Sequence, residues 1–208
     1  MPTISRVASS ASEDRLEKLI SARLEPDADK AALDRRIWDL FGETWAVMFT
    51  DLSGFSRNVA EFGIIHFLQT IHESQRLLVP VLDSHDGILL KTEGDSFLVI
   101  FRSPGRAVDC ALRMQEVCAE YNAARSAAER VLLCVGVGYG RVLRISDHDV
   151  FGSEVNAASK LGEDMAKDGE ILVTESVKNA LAKRRGLGFQ RLSKAPSGAK
   201  AAFRLSAK

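Results

Sequence analysis

Between Trp45 and Thr50 the chain reads WAVMFT, an apolar run rich in aromatic and β-branched residues, and it stops at Asp51 before the small-residue turn LSGFS. Such a run suits a central strand of a sheet, and a carboxylate at its end must be solvated, paired or protonated. Ile64, Leu68, Ile71, Leu78 and Leu82 then recur at helical spacing, which predicts an amphipathic helix over residues 64–82. The segment HDGILLKTEGDSFLVIF follows, two apolar runs joined by a turn containing Glu93, Gly94 and Asp95, which is a hairpin pattern.

The remainder extends this order. Ala107, Cys110, Met114, Val117, Cys118 and Tyr121 mark a further helix, and VLLCVGVGYGRVLRI reads as a long strand. Along that strand Val131, Leu133, Val135, Val137 and Tyr139 share one face, while Gly136 and Gly138 on the other permit close packing. EVNAASKLGEDMA reads as helix, GEILVT as strand, TESVKNALA as a short helix, and strands near 188–193 and 201–205 flank a loop at Pro196 to Gly198. The order implies an α+β fold with a mostly antiparallel sheet. Upstream, residues 1–42 form a charged, helix-patterned extension with Leu16, Leu19, Ile20 and Leu24, then Leu33, Ile37, Leu40 and Phe41, on its apolar faces. The domain proper is expected over 43–208.

At 208 residues one domain with a full core is expected. Lys plus Arg and Asp plus Glu balance at 28 each, so no overall field recruits nucleic acid or an anionic membrane. No apolar run approaches the roughly 18 residues of a membrane span, and the first residues lack the apolar centre of a signal peptide. A cytoplasmic protein is expected. Cys110, Cys118 and Cys134 are odd in number, lie in apolar surroundings and lack CxxC spacing, which reads as free core thiols. His66, His72, His85 and His148 are too scattered for a histidine metal site.

Asp51 ends the first strand and Asp95 sits in the turn of the hairpin expected beside it. Two carboxylates brought that close repel one another. Either a cation lies between them or one is protonated, and hard divalent ions such as Mg²⁺ or Mn²⁺ suit oxygen ligands. The turn at Ser53, Gly54 and Phe55 is expected to offer free backbone amides at a helix start, a place for phosphate oxygens. On spacing alone, a strand-end aspartate capping a helix explains Asp51 equally well.

FTDLSGFS, KTEGDSFLVIF, VGVGYG and DVFGSEVNAASKL, in this order over roughly residues 44–183, resemble the class III adenylate and guanylate cyclase catalytic domains. The resemblance implies the fold of that family, a ferredoxin-like palm whose mostly antiparallel sheet is flanked by helices. It also implies roles. Asp51 and Asp95 match two aspartates that hold two ions, Mg²⁺ or Mn²⁺, one lowering the pKa of the ribose 3′ hydroxyl and the other gripping the triphosphate. Lys91 and Asp149 match the base-reading pair. The ammonium of Lys91 can donate to adenine N1 and Asp149 can accept from the N6 amine, whereas guanine presents O6 and a protonated N1. Guanylate-specific relatives usually carry Glu and Cys at these two places, so ATP is the expected substrate.

Asn156 matches the asparagine that orients the ribose. Four residues on, where the family places an arginine that stabilises transition-state charge, this chain has Lys160, which keeps the charge without the planar fork. Lys194 and Lys200 are both candidates for a further phosphate contact. The family's homodimers take the metal aspartates from one subunit and the base-reading and transition-state residues from the other. This chain carries both sets, which implies a symmetric homodimer with two shared sites. The expected reaction is formation of 3′,5′-cyclic AMP, a signalling messenger, with loss of pyrophosphate. A non-catalytic, nucleotide-binding signalling domain and a cyclase for another triphosphate are the alternatives.

Overall fold

A computed structural model describes residues 11–54 and 61–207. Two helices lead in, α1 (Ala11–Leu24) and α2 (Lys30–Phe41). The side chain of Asp29 caps α2 by accepting from the Ala32 amide. Leu19, Ile37 and Phe41 bury against Ile145 of the sheet, while Leu24 and Leu40 stay exposed.

Strand β1 (Gly42–Leu52) begins where α2 ends, and α3 (Ile64–Ser84), β2 (Ile88–Glu93), β3 (Ser96–Phe101) and α4 (Pro104–Asn122) follow. Next come β4 (Leu133–Ile145), β5 (Asp149–Phe151) and α5 (Ser153–Ser159) with a π-helical turn over Lys160–Met165. The chain closes with β6 (Ile171–Thr174), α6 (Glu175–Ala180), β7 (Leu187–Arg191) and β8 (Ala202–Ala207). The strands form one sheet in the order β2-β3-β1-β4-β6-β8-β7, with β5 folded back onto β4. Pairing is antiparallel except between β4 and β6. The expected α+β class with a mostly antiparallel sheet is the one observed.

Period-2 alternation sorts β1 between two cores. Ala46, Met48 and Leu52 face α3 and α4, joining Leu78, Leu82, Val108 and Met114 in the larger cluster. Trp45 and Val47 face the other way and pack with Leu98, Ile100, Val150 and Val155. Val131, Leu133, Val135 and Val137 lie in the larger core with Tyr139 against it, as the alternation predicts.

Two helices depart from the expected pattern. In α3, Phe67, Thr70, Ser74, Leu78, Val81 and Leu82 form the buried stripe, whereas Ile64 and Leu68 point outward at 51% and 52% exposure. A stripe centred on Phe67 and Leu78 continues every third or fourth residue, and Leu68 falls off its edge, whereas Ile64 shares the azimuth of the buried Leu82 five turns on and is exposed as the first residue of the helix. The segment expected as one helix from Glu154 to Ala166 is α-helical only to Ser159. Beyond it, Gly162 is pressed against the Phe49 carbonyl and the Gly136 amide, and the wider π turn accommodates that contact.

Cys110, Cys118 and Cys134 are unpaired and buried, and burial pushes each thiol up to about 12. They are inert core residues. Among the described residues no helix is long and apolar enough to cross a membrane.

Candidate active site

Phe49 of β1 pairs with Leu98 of β3, and Thr50 with Phe97. Continuing that register sets Asp51 opposite Ser96, whose Oγ donates to Asp51 Oδ1 at 3.1 Å. Asp95 lies one residue back, in the hairpin turn after Gly94 at φ +59°. Burial and the neighbouring Asp95 carboxylate push Asp51 up to about 6, with Glu163 adding to the effect and Ser96 opposing it. Burial also raises Asp95, while the Leu52 backbone amide acts on both carboxylates in the opposite direction. Two half-buried carboxylates with unneutralised charge and only oxygen donors fit a hard divalent cation. Among the described residues no group of three or more His, Cys, Asp and Glu is arranged to hold a metal. A Mg²⁺ or Mn²⁺ at Asp51 and Asp95 would take its remaining ligands from water and phosphate oxygens, as such ions commonly do.

The adjoining turn corrects one expectation. The Ser53 amide is not free: it donates to the Leu132 carbonyl at 2.8 Å, tying the end of β1 to the strand entering β4. Gly54, at φ +88°, makes the turn a side chain would strain. Phe55 lies outside the described residues.

Lys91 reaches the site through an irregularity. Leu89 pairs with Val99 on the face covered by α3 and α4, and strict alternation would send Lys91 to the same face. A bulge at Leu90 shifts the register so that Lys91 pairs with Leu98 on the opposite face. There its Nζ stands 3.6 Å from Asp149 Oδ2 of β5 and 3.1 Å from Glu93 Oε1. Glu93 first, then Asp149, raise the pKa of the Lys91 ammonium. A cavity of about 120 Å³ opens beside them, with Phe49, Leu98, Val150 and Val155 as its apolar wall and Ser96 and Glu163 on its border. That is smaller than the ~300 Å³ and upward of whole-ligand pockets, so it suits one flat ring system of a larger ligand.

Helix α5 crosses the same face of the sheet over a glycine track. A Cβ at Gly136 would stand 2.1 Å from the Ala158 carbonyl oxygen, and one at Gly138 would stand 2.4 Å from that of Glu154. Glu154 fastens the helix, accepting from the Tyr139 amide at 3.0 Å, Thr174 Oγ1 at 2.7 Å and Ser176 Oγ at 2.8 Å. Asn156 and Lys160, one helical turn apart, are both exposed and outside the cavity. Lys160 leans toward Asp164, 3.6 Å away. Lys194 and Lys200 are exposed in the β7–β8 loop, whose Gly198 abuts Ser153 at the start of α5.

The structure therefore brings Asp51 beside Asp95 and Lys91 beside Asp149, and leaves Asn156 and Lys160 exposed and off the lining of the cavity that Lys91 and Asp149 border. Glu93, Ser96, Glu154 and Glu163 were not singled out from the sequence. Glu93 is two residues from Lys91 and shares its strand face, a period-2 signal that was available. Glu163 owes its place to the π turn, which leaves no such signal.

The sequence profile described as "Adenylate and Guanylate cyclase catalytic domain" matches residues 42–200. An adenylate cyclase of Mycobacterium tuberculosis is 30% identical over 186 residues, covering 80% of this chain and 40% of that protein. A serine/threonine-protein kinase, pkn2 of Myxococcus xanthus, is 32% identical over 131 residues, 63% of this chain and 16% of the kinase. The chain thus spans well under half the length of these curated relatives. Among solved structures, an adenylate/guanylate cyclase/hydrolase from Silicibacter pomeroyi superposes with a TM-score of 0.69 at 25% identity, over 79% of this chain and 95% of that one.

Proposed function

The chain belongs to the adenylate and guanylate cyclase catalytic domain family, and on that premise we propose that it converts ATP to 3′,5′-cyclic AMP and pyrophosphate at sites shared between two copies of the chain. The observation that carries the choice of ATP is the pairing of Lys91 with Asp149 at 3.6 Å on the rim of an apolar slot. A fixed donor next to a fixed acceptor complements N1 and the N6 amine of adenine, and the apolar wall stacks the ring.

The chain's own groups divide the work. Phe49, Leu98 and Val155 exclude water from the base, and Lys91 and Asp149 orient it. Asn156 positions the ribose so that its 3′ oxygen lies in line with the α-phosphorus. The new bond joins that oxygen to the α-phosphorus, the bond from the α-phosphorus to the departing pyrophosphate breaks, and the hydroxyl proton passes to solvent. Lys160 turns from Asp164 to the phosphate, where its ammonium opposes the charge that develops in transfer. A Mg²⁺ or Mn²⁺ pair held by Asp51 and Asp95 would acidify the 3′ hydroxyl and neutralise the triphosphate.

The small cavity and the exposed positions of Asn156 and Lys160 support a shared site. A facing copy would set its Asp51 and Asp95 against the base slot and α5 of the first, and would enclose what one chain leaves open. Incubation of the purified protein with ATP, GTP, CTP or UTP and Mg²⁺ or Mn²⁺, with products identified by mass spectrometry, tests the proposal. Cyclic AMP is the expected main product. Tight nucleotide binding with no cyclic product from any triphosphate would overturn it, and would favour a signalling domain in which Lys160 stays with Asp164.

A further inference from the structure

The ammonium of Lys91 touches two carboxylates, and only one of them is used in reading adenine. Glu93 Oε1 is the nearer, at 3.1 Å, against 3.6 Å for Asp149 Oδ2. The two acids come from different elements, Glu93 from the end of β2 and Asp149 from β5, and both border the base cavity. The bulge at Leu90 that turns Lys91 into the cavity turns Glu93 with it, since residues two apart on a strand share a face. Lys91 is thus a donor flanked by two acceptors.

The edges of the two purines differ in where they need acceptors. Adenine offers a donor at N6 and an acceptor at N1, which use Asp149 and Lys91. Guanine offers an acceptor at O6 followed by donors at N1 and N2, a pattern that needs a donor followed by an acceptor carboxylate. Lys91 and Glu93 supply that second pattern. Glu93 is 70% exposed, so it keeps its hydration when adenine leaves it unpaired and imposes no desolvation cost on ATP.

We propose that Glu93 is a specificity-determining residue of the base site, which accepts from N1–H and N2–H of guanine while Lys91 donates to O6, so that the protein takes GTP as a second substrate beside ATP. The proposal rests on the cyclase reading for its turnover measurement, though its binding measurement does not.

The test compares wild type with Glu93→Leu and Glu93→Gln, using kcat/KM for ATP and for GTP and, in parallel, Kd for each nucleotide by calorimetry. Wild type is expected to use both purines, with GTP within roughly a hundredfold of ATP. Glu93→Leu should raise the ATP-to-GTP ratio of kcat/KM at least about tenfold, because a charge-assisted acceptor for guanine is lost. Glu93→Gln, which keeps an acceptor without charge, should fall between. An unchanged ratio, with both nucleotides weakened together, would overturn the proposal and leave Glu93 as a mere tether of Lys91. So would a wild type that neither turns over nor binds GTP. If wild type forms no cyclic product at all, the cyclase reading fails alone, and the Kd ratio still decides the role of Glu93 by the same criteria.

Discussion

Gly136 of β4 lies so close beneath Ala158 of α5 that a Cβ on the glycine would stand 2.1 Å from the Ala158 carbonyl oxygen. The same atom would be 2.4 Å from the Gly162 amide, so neither flank of the helix leaves room. Backbone, not a flexible side chain, is on the receiving side. Gly136→Ala must lift α5 from the sheet, and with it Asn156 and Lys160. We expect a loss of about 3 kcal/mol or more in stability, read by urea denaturation. A variant as stable as wild type would show that α5 does not dock this closely.

The carboxylate pair makes stability depend on pH. Asp51 is raised to about 6 in the fold from an ordinary 3.8. A raised carboxylate destabilises the fold where it must ionise: there is no penalty below about pH 4, the penalty grows between pH 4 and 6, and it is full at neutral pH. Asp51→Asn should therefore stabilise the metal-free protein at pH 7, by about 1 to 2 kcal/mol once solvent screening is allowed for, and have no such effect at pH 4. Thermal melts at both pH values check this. Mn²⁺ should raise the Tm of wild type and leave Asp51→Asn largely unmoved.

Lys160 is where chemistry and structure disagree most with an efficient enzyme, since its ammonium has an alternative partner in Asp164 at 3.6 Å. Lys160→Arg should raise kcat roughly tenfold with little change in KM, because a planar fork holds phosphate oxygens in the transition state better than a point charge. Lys160→Ala should lower kcat about a hundredfold or more. Steady-state kinetics with ATP separate the two, and an unchanged kcat in both variants would remove Lys160 from the mechanism.

The shared-site arrangement has a complementation signature. Asp51→Ala and Asn156→Ala should each be inactive alone. Mixed and allowed to exchange subunits, they should recover up to about a quarter of wild-type activity, since about half the dimers are mixed and each holds one intact site. No recovery, in a mixture shown to exchange, would place all the residues in one chain.

Much of this site was legible because its signals are local. Asp51 ends an apolar run and Asp95 sits at a glycine turn, so once strand and hairpin were recognised the two carboxylates had to approach. The alternation of apolar and glycine positions in β4 is likewise carried by covalent order, as at Val135, Gly136, Val137 and Gly138, and α5 lies on the glycine side. The four ordered motifs carried the family, which neither composition nor periodicity could supply.

Residue order alone was enough for the strands and helices other than β5, for the two faces of β4 and for the meeting of Asp51 with Asp95, because each follows from a repeat of two or 3.6 residues or from a turn. Long-range packing was needed to show that β5 folds back on β4, that Leu90 bulges and aims Lys91 and Glu93 into the cavity, that Ser53 gives its amide to Leu132, and that the helix widens after Ser159, with Glu163 on the cavity border. The physical reason is common to the last three. A bulge, a captured amide and a π turn are one-residue adjustments in hydrogen bonding to a distant neighbour, here β3, Leu132 and the Gly136–Phe49 pair of backbones, and nothing in the residues that make the adjustment states what that neighbour is.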